Sequence, residues 1–171
     1  METNKLKTEL QRIHQLLWDT TAAMDALTQT KQPNGKWSAV QHVQHINKGV
    51  AGVYKYMGLD KTTIENMFGL AAAPSRSFEE SMAFFGQYVT GAVSTERFAP
   101  EPSESISFPQ EYQKGLHVLN GLITAMEQWS EDELDKYNCP HPLLGKLTAR
   151  EMLYFTLFHA QHHLATVEKI H

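Results

Sequence analysis

Apolar residues recur at intervals of three and four along most of the chain, which is the spacing of one face of an α-helix. In the first segment, about residues 3 to 27, this series is Leu6, Leu10, Ile13, Leu17 and Met24. Similar series predict four further long helices over residues 38–59, 77–89, 109–129 and 148–170, with a short extra turn at 130–133. No segment shows the sustained alternation of a strand, so the chain is predicted to be all-α.

The ends of these segments carry recognisable start and break signals. Capping boxes, in which Ser or Thr is followed three residues later by Gln or Glu, occur at Ser38, Ser77 and Thr148. Three prolines between residues 98 and 109 predict a long irregular crossover. Residues 139–142, with sequence CPHP, are predicted to be non-helical. Long helices joined by a long crossover predict a helix bundle that is not a simple up-down-up-down one.

Length and composition narrow the function classes. A chain of 171 residues with 42% hydrophobic and 20% charged residues predicts a single domain over residues 1–171. A net charge of −4 argues against nucleic-acid binding, and the lack of a long apolar run argues against a membrane partner. The polar start METNKLKTELQRIHQ is unlike a signal peptide, so we expect a cytoplasmic protein. A single cysteine excludes a disulfide framework and a Cys-rich zinc site.

Histidine is the unusual residue, with nine copies. His159 and His163 are four residues apart, so on a helix both rings lie on one face, one turn apart, and can bind one metal ion. A third ligand must come from another helix, and the second predicted helix offers His42 and His45, which spacing alone does not separate. His162 is expected at the rim of such a site.

The opposing interpretation is that a pair of histidines four residues apart arises by chance on an exposed face of a histidine-rich chain. The apolar neighbours of both clusters, such as Leu157 and Phe158 beside His159, favour inward-facing rings, which need polar partners. The remaining histidines are expected to be exposed and to take no part in the site: His14, His117, His141 and His171.

Three motifs resemble those of a known family. Residues 36–46 (KWSAVQHVQHI) are similar to its Trp-Ser opening of the second helix, which is followed by a histidine. Residues 144–153 (LGKLTAREML) are similar to the Gly-x-Leu-Thr-x-Arg-Glu entry to its last long helix, and residues 159–163 (HAQHH) match its His-x-x-His-His signature. In this order and spacing, the motifs make the chain resemble the DinB/YfiT-like superfamily of metal-dependent enzymes.

The resemblance implies a four-helix bundle of up-down-down-up order with a long crossover and a short extra helix. It also implies a divalent-metal site formed by His45, His159 and His163, and so favours His45 over His42. Members of the family are associated with nickel or zinc, are often homodimers, and include thiol-dependent transferases and isomerases. The chain departs from the family where many members continue with Arg-Gly-Gln, since residues 164–166 are Leu-Ala-Thr. The resemblance therefore does not specify a particular thiol-dependent reaction.

A site of three neutral imidazoles leaves a coordination position open, and a bound water or thiol loses its proton more easily there. This chemistry predicts an enzyme acting on a small molecule, either a hydrolase or a thiol-dependent transferase. The alternative is a non-catalytic metal- or ligand-binding bundle linked to stress. The following side chains are candidates for a base or substrate anchor, although surface or core roles are also open to them: Gln41, Asn47, Tyr154 and Thr156. Cys139 is interpreted as a plain loop thiol.

Overall fold

The structure is a computed structural model that describes residues 1–89 and 95–171 and is predominantly helical. The α-helices of this part are α1 (Thr3–Ala22), α2 (Ala26–Thr30), α3 (Ala39–Met57), α4 (Lys61–Phe68), α5 (Phe78–Val89), α6 (Phe108–Met126), α7 (Glu131–Lys136) and α8 (Ala149–Val167). Single 3-10 turns occur at Pro33–Gly35, Glu96–Phe98 and Ser103–Ser105. Two short strands, β1 (Asn138–His141) and β2 (Gly145–Thr148), form an antiparallel hairpin. The prediction of an all-α chain is confirmed, apart from this hairpin.

The four longest helices, α1, α3, α6 and α8, form the bundle. Each packs against two neighbours in the ring α1–α8–α3–α6–α1, while α5 lies outside and packs against α8. Their inward faces are the apolar stripes seen in the sequence, because a helix of a globular protein buries its apolar side. Fully buried members of this core include Leu6, Leu10, Leu17, Leu122 and Leu153.

Side-chain contacts give the direction of each helix. Asn47, in the first half of α3, donates a hydrogen bond to the Glu111 carbonyl in the first turn of α6. Trp129, just after α6, donates to the Met57 carbonyl at the end of α3, so α3 and α6 run parallel. Since α6 begins at Phe108, 51 residues after Met57 along the chain, a parallel pair requires a connection that returns along the bundle.

The other two bundle helices run against this pair. His45 near the start of α3 meets His159 near the end of α8, and Trp18 near the end of α1 packs edge-on against Tyr112 near the start of α6. Helices α1 and α8 therefore point one way and α3 and α6 the other. The up-down-down-up order that the resemblance implied is confirmed.

The connection between α3 and α6 contains one helix that was predicted and one that was not. Helix α5 confirms the predicted segment 77–89, the proline-rich stretch corresponds to the expected crossover at residues 98–109, and α4 was not predicted. Helix α4 was missed because it is eight residues long and buries only Ile64, so that it shows no repeated apolar spacing. A single buried residue leaves no period to detect.

Capping boxes fix the starts of the two helices that carry the candidate metal ligands. The Ser38 hydroxyl accepts a hydrogen bond from the Gln41 amide, and the Gln41 side chain accepts one from the Ser38 amide. Thr148 and Glu151 make the same reciprocal pair at the start of α8. The third predicted box is present as well, since Ser77 and Glu80 exchange the same pair of bonds. All three predicted boxes are confirmed, and the first two fix the register of α3 and α8.

The expectations for Cys139 and His14 were wrong. Cys139 is buried in β1 rather than lying in an open loop, and the four-residue strands are too short to show alternation in the sequence. His14 is fully buried on the inner face of α1, one residue after Ile13 and three before Leu17, rather than exposed. Among the described helices, none is both long and apolar enough to cross a bilayer.

Candidate metal centre

Three histidine rings converge between α3 and α8. Nε2 of His159 lies 3.0 Å from Nε2 of His45 and 3.0 Å from Nε2 of His163. One ring nitrogen from each of the three residues lies within 4.8 Å of the other two. The structure thus brings together the residues that the sequence and the resemblance selected, from positions 114 residues apart in the chain.

The geometry follows from the two helices. His159 and His163 are one turn apart on α8 and project from the same face, because four residues advance a helix by slightly more than one turn. His45 projects toward them from the second turn of α3, which runs antiparallel to α8. His45 and His163 are buried, each with 7% of its surface exposed, while His159 is half-buried. The solvent side of the cluster is therefore at His159.

The backbone of the crossover fixes the orientation of His45. Its Nδ1 lies 2.8 Å from the carbonyl oxygen of Phe98, which can only accept a hydrogen bond. Nδ1 therefore carries the proton and donates it, which leaves the lone pair of neutral His45 on Nε2, facing the cluster. A hydrogen bond of this kind on the remote nitrogen is the usual way in which a metal-binding histidine is oriented.

His42 and His162 flank His163. Nδ1 of His42 lies 2.6 Å from Nδ1 of His163, on the side of that ring away from the cluster. If His163 directs a lone pair from Nε2 into the cluster, its Nδ1–H donates to His42 and the His42 proton is on Nε2. His162 is exposed, with its ring 5.4 Å from that of His163. Spacing alone did not separate His42 from His45; in the structure His42 contacts one member of the trio and His45 belongs to it.

Aromatic rings enclose the cluster. The Trp37 ring, half-buried just before α3, lies 4.8 Å from the His45 ring and is stacked near His163 at 6.1 Å. On the other side, Phe155 stacks on His159 with ring centroids 5.1 Å apart. These rings exclude water from two sides of the imidazoles and so lower the local dielectric constant.

Burial keeps the imidazoles neutral. It lowers the pKa of His159 and His163 well below the usual value, and neighbouring histidines lower it further. The pKa of His45 is also lowered, chiefly by burial, although its hydrogen bond to Phe98 opposes the shift. Burial, together with the neighbouring His45 and His162, lowers the pKa of His42 to about 4. At neutral pH the cluster therefore offers uncharged nitrogen donors, which is the form that binds a metal.

The donor set fits a divalent ion. Two nitrogens bound to one zinc ion at about 2.0–2.1 Å in tetrahedral arrangement stand about 3.3 Å apart, close to the 3.0 Å seen for two of the pairs. With the His45 proton engaged by Phe98, a single proton on His159 would have to serve both close contacts. A cation among the three nitrogens would satisfy every lone pair, and imidazole is a good ligand for both zinc and nickel.

The four polar side chains suggested as a base or anchor have structural partners instead. The Gln41 amide bridges the Ser38 cap and the Glu101 carbonyl, and Asn47 bonds Glu111. Tyr154 accepts a hydrogen bond from the amino group of Met1, and Thr156 donates to the carbonyl one turn back on α8. These bonds give each of the four a role in the fold.

The remaining cysteine and histidines also lie outside the cluster. Burial raises the pKa of the Cys139 thiol far above its usual value, so that it stays protonated and unreactive. His117 and His171 are exposed, as expected. His141 was expected to be exposed but is half-buried, because its ring packs edge-on against that of Phe155. The Nδ1 of buried His14 bonds the Leu10 carbonyl.

The sequence analysis missed the residues that orient and enclose the trio. Phe98 acts through its backbone carbonyl, which no side-chain pattern can reveal. Trp37 appeared only as part of a motif, and its position directly before the Ser38 cap was the available signal. Phe155 is four residues before His159, a spacing that places it on the same face of α8.

Comparisons with known proteins bear on the family. A search of curated proteins and a search of solved structures each found no match. A sequence model described as the DinB superfamily matches residues 6–167, which is nearly the whole chain and includes every residue of the cluster. The match agrees with the bundle order and with the three motifs, and the chain belongs to the DinB superfamily.

Proposed function

We propose that this protein is a metal-dependent enzyme that binds one divalent ion, nickel or zinc, through His45, His159 and His163 and acts on a small molecule. The observation that carries the proposal is the convergence of three neutral Nε2 atoms at one point between α3 and α8. Three protein ligands are typical of catalytic zinc sites, which keep a position open, whereas structural sites use four.

The surrounding residues support this role by fixing the ligands. With its lone pair on Nε2, His163 donates its Nδ1 proton to His42, as His45 donates its own to the Phe98 carbonyl, and both rings then direct their Nε2 lone pairs into the cluster. These bonds also make the donor nitrogens more basic. A divalent ion bound there supplies a Lewis acid that lowers the pKa of a water or thiol.

The reaction class is either hydrolysis or thiol-dependent transfer. Both need a protected ion with one accessible side, and the arrangement of Trp37 and Phe155 around half-buried His159 fits that need. We further propose that residues 1–171 form one domain, that the protein is cytoplasmic, and that it forms a homodimer.

A non-catalytic metal-binding bundle is the second candidate. It is favoured by one observation: in residues 1–89 and 95–171, the cluster consists of imidazoles and contains no carboxylate that could act as a general base. A screen of esters, amides and thiol-transfer pairs with the metal-loaded protein separates the two. Turnover that disappears when the metal is removed supports the enzyme, and its absence across these substrates supports the binder.

Elemental analysis of untagged protein, purified without a nickel column, tests the metal site. We expect one zinc or nickel ion per chain, and its loss in His45→Ala, His159→Ala and His163→Ala. His117→Ala is the matched control, because His117 is exposed and lies in the middle of α6, outside the cluster, and this variant should retain the ion. Full metal content in the three cluster variants would contradict the proposal.

A further inference from the structure

A second concave site lies on the outer side of α3, next to the 3-10 turn at Glu96–Phe98. It is a pocket of about 300 Å³, large enough for a small molecule. Its wall combines three cationic side chains with an aromatic ring and two small residues: Lys48, Lys55, Arg97, Phe98, Ala51 and Gly52. Among the described residues, none of those that line it is acidic, although the chain as a whole has a net charge of −4.

The three cations have no acidic partners. In the described ranges 1–89 and 95–171, the ion pairs of the protein involve other residues, and residues 90–94 (TGAVS) contain no charge. Lys48 is half-buried and fixed, since its ammonium group donates to the Ala99 carbonyl at 2.7 Å. An ammonium group has three donors, so two remain for a ligand. Like charges gathered in a concave wall repel one another unless an anion lies between them.

The floor of the pocket leaves room for such an anion. Gly52 faces the Phe98 ring, and a Cβ at this position would lie 3.7 Å from the ring, in ordinary contact. Small residues at positions 51 and 52 therefore keep open a space that a longer side chain would fill. Lys55 and Arg97 are exposed and can close over a bound group from either side.

We propose that this pocket binds the carboxylate or phosphate group of a small-molecule ligand. Arginine and lysine form charge-assisted hydrogen bonds with both groups, which are stronger than neutral ones. The size of the pocket and the presence of only three cations fit a single anionic group rather than an extended polyanion. The pocket shares its 3-10 turn with the metal centre, because Phe98 supplies both a ring to the pocket and a carbonyl to His45. A ligand held there lies beside the metal centre.

Titration of the purified protein with inorganic phosphate, and separately with succinate, tests the proposal at constant ionic strength. Calorimetry gives the affinity, and backbone NMR shifts at residues 48–55 and 97–98 give the location. We expect saturable binding of at least one of the two anions. Lys55→Gln and Arg97→Gln should each weaken it about tenfold, the loss expected for one charge-assisted hydrogen bond. Arg12→Gln is the matched control, because Arg12 is an exposed cation on α1, and it should bind normally.

Two further variants keep the outcome clear. Gly52→Leu fills the pocket without changing the charge, so it should abolish binding while the thermal unfolding midpoint shows that the protein remains folded. His159→Ala removes a proposed metal ligand and should leave anion binding at the pocket unchanged, so a failure of the metal proposal does not affect this test. Equal weakening by Arg12→Gln, an absence of saturation with both anions, or loss of binding in His159→Ala alone would overturn the pocket.

Discussion

Helix α8 contributes to two polar clusters, one near its start and one in its second half, and they are built in opposite ways. Near its start, the Arg150 guanidinium donates to the Asp135 carboxylate at 2.6 and 3.0 Å and pairs with Glu131 at 2.8 Å. Arg76 pairs with Glu151 in the same region. In this cluster cationic donors meet anionic acceptors, and the charges of the residues compensate one another.

Near its end, α8 presents His159 and His163 to His45, and these groups are all of one kind. Each is neutral, each directs a nitrogen to the same point, and no opposite charge is among them. A cluster of paired charges is complete without a ligand and joins elements of the fold. A cluster of converging lone pairs is complete only with a cation, so that the comparison separates a structural network from a candidate binding site.

The largest expected effect is the response to acid, in which a buried neutral imidazole and a paired carboxylate act in different pH ranges. Burial lowers the pKa of His14, which lies on α1 outside the imidazole cluster, from 6.5 to about 4. Between these values the unfolded chain binds a proton that the folded protein does not, so unfolding is favoured as pH falls. We expect His14 alone to decrease the unfolding free energy of metal-free protein by about 3 kcal/mol as pH falls from 8 to about 4.

The carboxylates of the paired cluster around Arg150 should affect the unfolding free energy at lower pH. Burial alone would raise the pKa of Asp135, but hydrogen bonds from Arg150 and Ser75 outweigh it and hold the pKa below its usual 3.8. Urea unfolding measured from pH 8 to about pH 2 covers both windows and separates them. His14→Gln should flatten the decrease between pH 6.5 and 4, and His117→Gln, at an exposed site, should not. An unchanged profile in His14→Gln would contradict the assignment.

Removal of the central cation from the paired cluster should have the next largest effect. Arg150→Met keeps the packing of the buried stem but leaves Asp135 and Glu131 without their arginine partner, and we expect a loss of about 2 kcal/mol in the unfolding free energy. Metal content should not change. Arg12→Met is the matched control, since its exposed ion pair with Glu9 is worth at most about 0.5 kcal/mol. Loss of metal binding in Arg150→Met would show that the two clusters are not independent.

Elements with long repeats were predictable from the sequence and short ones were not. The four bundle helices each span 19 or 20 residues, enough for the apolar period to recur several times. Helix α4 has eight residues and each strand of the hairpin has four. These short elements are stabilised mainly by contacts with distant parts of the chain, such as the hydrogen bond from the Tyr56 hydroxyl to the Asn138 carbonyl. Local patterns carry no information about those contacts.

The trio itself was predictable, but its surroundings were only partly so. His159 and His163 followed from helical spacing, while the choice of His45 over His42 came from the resemblance, because both lie on the same part of α3. Their difference depends on a small rotation around the helix, which brings one ring to His159 and the other to the outer side of His163. The burial of His14 was missed because a histidine is a polar residue and was expected on the exposed side of the helix even next to an apolar stripe.

The smallest effect concerns His42, which contacts the trio without belonging to it. We expect His42→Phe to keep the ring volume and the fold but to lower the metal affinity about tenfold, or about 1.4 kcal/mol, because His163 loses the acceptor of its Nδ1 proton. Competition with a chromogenic chelator measures this change. His162→Phe is the matched control: it is the exposed neighbour of His163, and it should leave the affinity unchanged. If His42→Phe removed the ion altogether, His42 would be a ligand itself, and the cluster would have four members rather than three.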